Sequence, residues 1–101
     1  MNEPFIFHIC TEQSWHDQSD SPIYIHSSLT EENFIHCSED HQIQGVLQRY
    51  FQGQNDLLVL TIDVSKVQPK IQYDKAPNGE FFPHIYGPLN KDSIIKTEKI
   101  N

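Results

Sequence analysis

Positive charge is what this 101-residue chain has least of: seven Lys and Arg stand against fourteen Asp and Glu, and Arg49 is the one arginine. A nucleic-acid partner needs a basic patch that neutralises phosphates, and protonating all six histidines would lift the net charge of −7 only to about −1. Nucleic acid and anionic membranes are therefore not expected as partners. Long hydrophobic runs are also missing. No apolar stretch nears the ~18 residues of a membrane span, and the first residues carry neither the basic nor the apolar region of a signal peptide. A soluble, cytoplasmic protein is the expectation. Cysteine is scarce too: Cys10 and Cys37 read as two small buried thiols rather than a disulfide framework.

The apolar share of 37% and the aromatic share of 11% suffice for a core. Both are spread along the chain, with no linker, repeat or low-complexity tract, so residues 1–101 read as a single domain.

Alternation predicts a strand over Phe5 to Cys10, apolar on both sides and hence central. Thr11 is the N-cap of a short helix through Trp15, and Asp17 to Pro22 is a loop. Ile23 to Ile25 reads as a short strand or a covering segment. A helical turn capped by Thr30 precedes a strand over Phe34 to Cys37. Ser38 and Asp40 are N-cap candidates for the main helix, whose stripe is Ile43, Val46, Leu47, Tyr50 and Phe51, with Gly53 at C′. Strands are predicted over Leu57 to Val64, over Val67 to Tyr73, over Phe81 to Tyr86 after the Pro77-Asn78-Gly79 turn, and over Ile94 to Ile100 at an edge. Pro83 argues for an edge, a bulge or a strand start. One good helix among many strands indicates an α+β fold, with a split, mainly antiparallel sheet and one or two short helices besides the main one.

Three strand-like segments each carry a histidine: Phe7-His8-Ile9, Phe34-Ile35-His36-Cys37-Ser38 and Pro83-His84-Ile85-Tyr86-Gly87. Imidazole gives, takes or shares a proton near neutral pH, so three such segments suggest one pocket. His8, His36 and Ser38 are the candidate ligand-binding residues. The main helix would begin just after Ser38, where its free N–H groups suit a phosphate or carboxylate. His84 and Tyr86 share a face by alternation, with Asp74 the carboxylate in reach. These three are the candidate catalytic residues. His36, Cys37, Asp40 and His41 are close in sequence, but His36 and Cys37 point to opposite faces of a strand, so no metal site is expected. His16 and His26 are assigned no role.

The Phe34–Ser38 segment, Gln42, Arg49-Tyr50-Phe51 and Phe82-Pro83-His84-Ile85-Tyr86-Gly87-Pro88-Leu89 resemble domain of unknown function 952, a bacterial and plant family. Asn33 stands where that family usually has Gly, and Asp74 where it tends to carry Glu after an aromatic. The resemblance implies a fold similar to ADP-ribosyltransferases, whose split sheet cradles NAD. It would place His8 on a ribose hydroxyl and Asp74 or His84 near the reacting ribose. No cofactor is implied as required; NAD or a related nucleotide would be substrate or ligand.

Three functions follow as expectations. The first is a transferase-like or glycohydrolase-like enzyme acting on such a nucleotide. The second is a non-catalytic binding module for a small anionic metabolite. The third is a structural domain in which His36→Ala and His84→Ala are silent. The sequence carries no signal of an oligomeric state.

Overall fold

The computed structural model describes residues 3–100. Its elements, in chain order, are β1 (Phe5–Thr11), α1 (Glu12–His16), β2 (Ile23–Tyr24), α2 (Ser27–Glu32), β3 (Ile35–His36), α3 (Ile43–Tyr50), β4 (Leu57–Asp63), β5 (Lys70–Lys75), β6 (Phe81–Tyr86), β7 (Leu89–Asn90) and β8 (Ile94–Lys99). Among the described residues every strand pairing is antiparallel, in sheets ordered β1-β4-β8, β3-β6-β5 and β2-β7. The α+β expectation with a divided antiparallel sheet and few short helices agrees with this architecture.

β4 is apolar on both faces because both are covered. Leu58, Leu60 and Ile62 join Ile6, Cys10, Tyr24, Ile35 and Ile85 in the larger core, whereas Leu57 and Val59 pack with Ile9 against Ile43, Val46, Leu47 and Phe51. The first sheet thus lies between α3 and the second sheet. β1 is an edge of its own sheet and not the central strand expected. Its free edge is covered by a single bridge, with Phe7 N donating to Ser38 O at 2.8 Å and Ser38 N to Phe7 O at 2.7 Å. Polar atoms of that edge are thereby satisfied where the two sheets meet.

Three local expectations are corrected. α2 begins at Ser27 and is capped by His26, not Thr30. Asn33 ends it at φ 72°, a left-handed cap that Asn tolerates better than most residues. A 3-10 turn, Asp40–Gln42, precedes α3, and its N-cap is Glu39 in a capping box with Gln42. Ser38 is therefore the bridge to β1 rather than the cap. α3 stops at Tyr50 with Phe51 as its C-cap, while Gly53 (φ 79°) lies in the turn beyond.

Pro83 sits in the middle of β6, which is the central strand of its sheet. Its carbonyl accepts from Cys37 N at 3.1 Å, and the reciprocal bond is the one its ring cannot donate. The ladder to β3 accordingly ends at the His36–His84 pair. A central proline is tolerated because the strand beside it stops there.

Candidate functional site

Register assembles the site. In the second sheet His36 faces His84 across β3 and β6, and Gln72 faces His84 across β5 and β6. Ile35, Ile85 and Ile71, one residue along each strand, point the other way into the larger core. Period-2 alternation therefore puts Gln72, His84 and His36 in a row on the opposite face. Asp74 and Phe82, opposed in register, and Tyr86 extend that row.

Within it the polar groups are closely matched. Asp74 Oδ2 accepts from His84 Nδ1 at 2.7 Å and from the Tyr86 hydroxyl, and Asp74 Oδ1 accepts from Gln72 Nε2 at 2.6 Å. Hydrogen bonds from Gln72, Tyr86 and His84 hold the Asp74 carboxyl down at about 2, so it is ionised at neutral pH. Burial pushes the His84 imidazole below its ordinary value, against the opposing pull of Asp74. Neutral His84 then carries its proton on Nδ1, facing the carboxylate. Its Nε2 has no hydrogen-bond partner among the described residues and is not sealed from solvent. The result is an imidazole of fixed tautomer with an open acceptor nitrogen.

Phe34 lies flat on this ring, with centroids 3.9 Å apart and planes 9° from parallel. The His36 ring meets His84 edge-on at 5.2 Å and donates Nε2–H to Glu32 Oε2 at 2.6 Å. Two histidines, each held by its own carboxylate, thus share one aromatic wall.

His8 is differently placed. Its Nδ1 donates to the His36 carbonyl at 2.6 Å, and its Nε2 accepts from the Tyr24 hydroxyl at 2.9 Å, so both nitrogens are engaged inside the protein. Burial drives its pKa down to about 3, and it is neutral. In this arrangement it anchors the His36 backbone. One amide of the anion seat expected beside Ser38 is already taken, because the Glu39 side chain accepts the Gln42 backbone N–H in the capping box. Both thiols are buried, and burial raises the pKa of each.

A cleft of about 570 Å³ opens at this wall. His8, His36, Ser38, Asp74 and His84 line it, together with Phe7, Phe34, Phe82, Tyr50 and Phe51; Tyr86 does not and reaches it only through Asp74. Sequence reasoning missed His26, Glu32 and Gln72. Gln72 stands two residues before Asp74 on one strand, a spacing that places that pair on one face, whereas Glu32 and His36 are four apart across the end of α2 and meet only through the turn at Asn33. His26 gave no such signal, since only the path of the chain brings it to within 4.8 Å of the His8 ring. Among the described residues no group of three or more His, Cys, Asp or Glu is placed to hold a metal ion, and no helix is long and apolar enough to cross a membrane.

A family profile described as protein of unknown function (DUF952) matches residues 9–97. No functionally curated protein matches the chain. The fold is similar to that of CC0527 from Caulobacter crescentus. Its crystal structure superposes with a TM-score of 0.84 at 22% identity, covering 96% of this chain and 86% of that one. Its solution structure gives 0.83 at 21% identity, over 98% and 86%.

Proposed function

This chain belongs to the DUF952 family of proteins of unknown function, and from that premise we propose that it is an ADP-ribosyltransferase-like enzyme, a transferase or glycohydrolase whose cleft takes NAD or a related nucleotide. Two small antiparallel sheets meeting beside one cleft support the likeness in fold. The single observation that carries the reading is the Asp74–His84 pair, which presents an open Nε2 at the wall of a 570 Å³ cleft.

The chemistry follows from that nitrogen. A water or acceptor hydroxyl gives its proton to His84 Nε2 as its oxygen bonds to the ribosyl C1′. The C1′–N bond breaks, and the pyridinium nitrogen takes the bonding pair and leaves as neutral nicotinamide. The imidazolium formed on His84 is stabilised by Asp74, whose orientation Gln72 and Tyr86 hold. His36 and Ser38 stand beside it to contact the sugar, and Phe34 supplies a flat surface for a heterocycle. His8 positions His36 through its carbonyl.

One observation favours the second reading, a binding module without chemistry. Asp74 accepts three hydrogen bonds, from Gln72, His84 and Tyr86, so most of its accepting capacity is turned to its own neighbours and not to an oxocarbenium-like ribose.

Titrating labelled protein with NAD, ADP-ribose, nicotinamide and inorganic phosphate, followed by an assay of nicotinamide release, separates the two. The enzyme reading expects shifts at His36, Ser38 and His84, and release that His84→Ala abolishes. Shifts without release select the binding module. No shift with any of the four at millimolar concentration overturns both.

A further inference from the structure

His26, to which the sequence assigned no role, caps α2. Its Nδ1 accepts from Ser28 N at 3.1 Å, with the Ser28 hydroxyl 2.9 Å away on the same nitrogen. An acceptor nitrogen bears no proton, so the neutral ring must carry its proton on Nε2. That Nε2 has no hydrogen-bond partner among the described residues and is open to solvent, and His26 lines the same cleft as His36 and His84. The ring is also held in place by edge contact with His8 at 4.8 Å. Its tautomer is thus the opposite of that found at His84: His26 offers a hydrogen where His84 offers a lone pair.

We infer that His26 is a ligand-contacting residue whose Nε2–H donates to a neutral oxygen of a sugar, a ribosyl hydroxyl, and not to phosphate. This deepens the ribosyl reading given above and rests on it. The preference for a neutral oxygen has two grounds. Protonating the ring would break the cap, because Nδ1 could no longer accept from Ser28. Burial works in the same direction and keeps the ring neutral. The charge nearest the ring is anionic: Glu32 lines the cleft with it and Glu31 acts on it electrostatically, while the cleft's lysine, Lys75, comes from β5. A neutral donor among carboxylates suits a hydroxyl better than a dianion. His8, which the family resemblance would place on a ribose hydroxyl, has no nitrogen left for that contact.

The informative variant is His26→Asn. Asn is among the best N-caps, and its short side chain keeps the Ser28 amide satisfied while removing the distal donor. Long-range 15N–1H spectra of the full chain should show His26 with bare Nδ1 and protonated Nε2. Methyl β-D-ribofuranoside and ADP-ribose should shift that Nε2, while inorganic phosphate should not. ADP-ribose should bind the variant about tenfold more weakly, with thermal stability preserved. A His26 ring protonated on Nδ1, or unchanged ADP-ribose affinity in a folded His26→Asn, overturns the inference and leaves the nucleotide reading standing. A riboside that binds through His26 when neither NAD nor ADP-ribose binds does the reverse. If no sugar moves His26, or phosphate moves it most, the inference falls.

Discussion

His84 and Asp74 sit diagonally across neighbouring strands, with Nδ1 2.7 Å from Oδ2, and this one bond decides which imidazole nitrogen faces the cleft. Asp74→Asn removes the charge that steadies both the Nδ1–H tautomer and the imidazolium. The His84 pKa should move further down, since Asp74 is the main group that raises it, ahead of Glu32, and histidine NMR titration reads this directly. Any turnover should fall by roughly 10²- to 10⁴-fold, the range for a disabled general base. An unchanged His84 titration would show that the two side chains are not coupled.

The same carboxylate leaves an acid signature. Asp74 titrates at about 2 in the folded chain, below the 3.8 of a free aspartate. The unfolded chain therefore binds the extra proton between these values, and the stabilisation is present above 3.8 and lost as pH falls through about 2. Denaturation midpoints of the wild type and Asp74→Asn should converge over that window. A constant difference between them would contradict the assignment.

His8 acts higher on the pH scale. Its folded pKa of about 3 lies below the ordinary 6.5, so protons favour the unfolded chain throughout the interval between them. Stability should fall as pH drops from 6.5, by roughly 1.4 kcal/mol per pH unit from this residue once well below that value. His26 and His84, both lowered by burial, add in the same sense. Urea unfolding between about pH 7.5 and about pH 5 measures the slope, and a flat profile would mean that His8 is not buried as described.

Tyr24→Phe deletes the hydroxyl that donates to His8 Nε2 and leaves that nitrogen buried without a partner. The expected loss is about 1–3 kcal/mol, larger than for an ordinary exposed hydroxyl. The His36 ring contacts should persist, so ligand shifts at His36 and His84 should survive in the folded variant. A cost near zero in urea unfolding would show that the hydrogen bond contributes nothing.

Asn33 ends α2 at φ 72°. Asn33→Gly should hold or slightly raise stability, whereas Asn33→Val should lower it by about 1–2 kcal/mol, because a β-branched side chain resists the left-handed region. Thermal unfolding of the pair checks the sign.

Much of this architecture could be read along the chain. Leu57–Asp63 is apolar at both parities, which is the mark of a strand covered on both faces, and the structure sandwiches it between α3 and the second sheet. Thr11 caps α1 as its side-chain chemistry requires. The reading failed where two local rules competed with a distant partner. Pro83 satisfies the rule for an edge, yet β6 is central because β3 ends beside it. Ser38 satisfies the rule for a cap, yet the Glu39–Gln42 box takes that place and frees Ser38 to bridge to Phe7.

The sequence by itself determined the faces: His36 opposite in sense to Ile35, His84 to Ile85, and Asp74 on the side of Gln72, because a pleated strand alternates with period two whatever surrounds it. Only the tertiary structure decided the register that sets His36 across from His84, lays Phe34 on its ring, and sends Asp74 to its Nδ1. It also decided that His8, alike in local context, would spend both nitrogens inside the core while His26 kept one open to the cleft. Alternation is a local property of the backbone. Register and burial arise from long-range packing, which no short segment encodes alone.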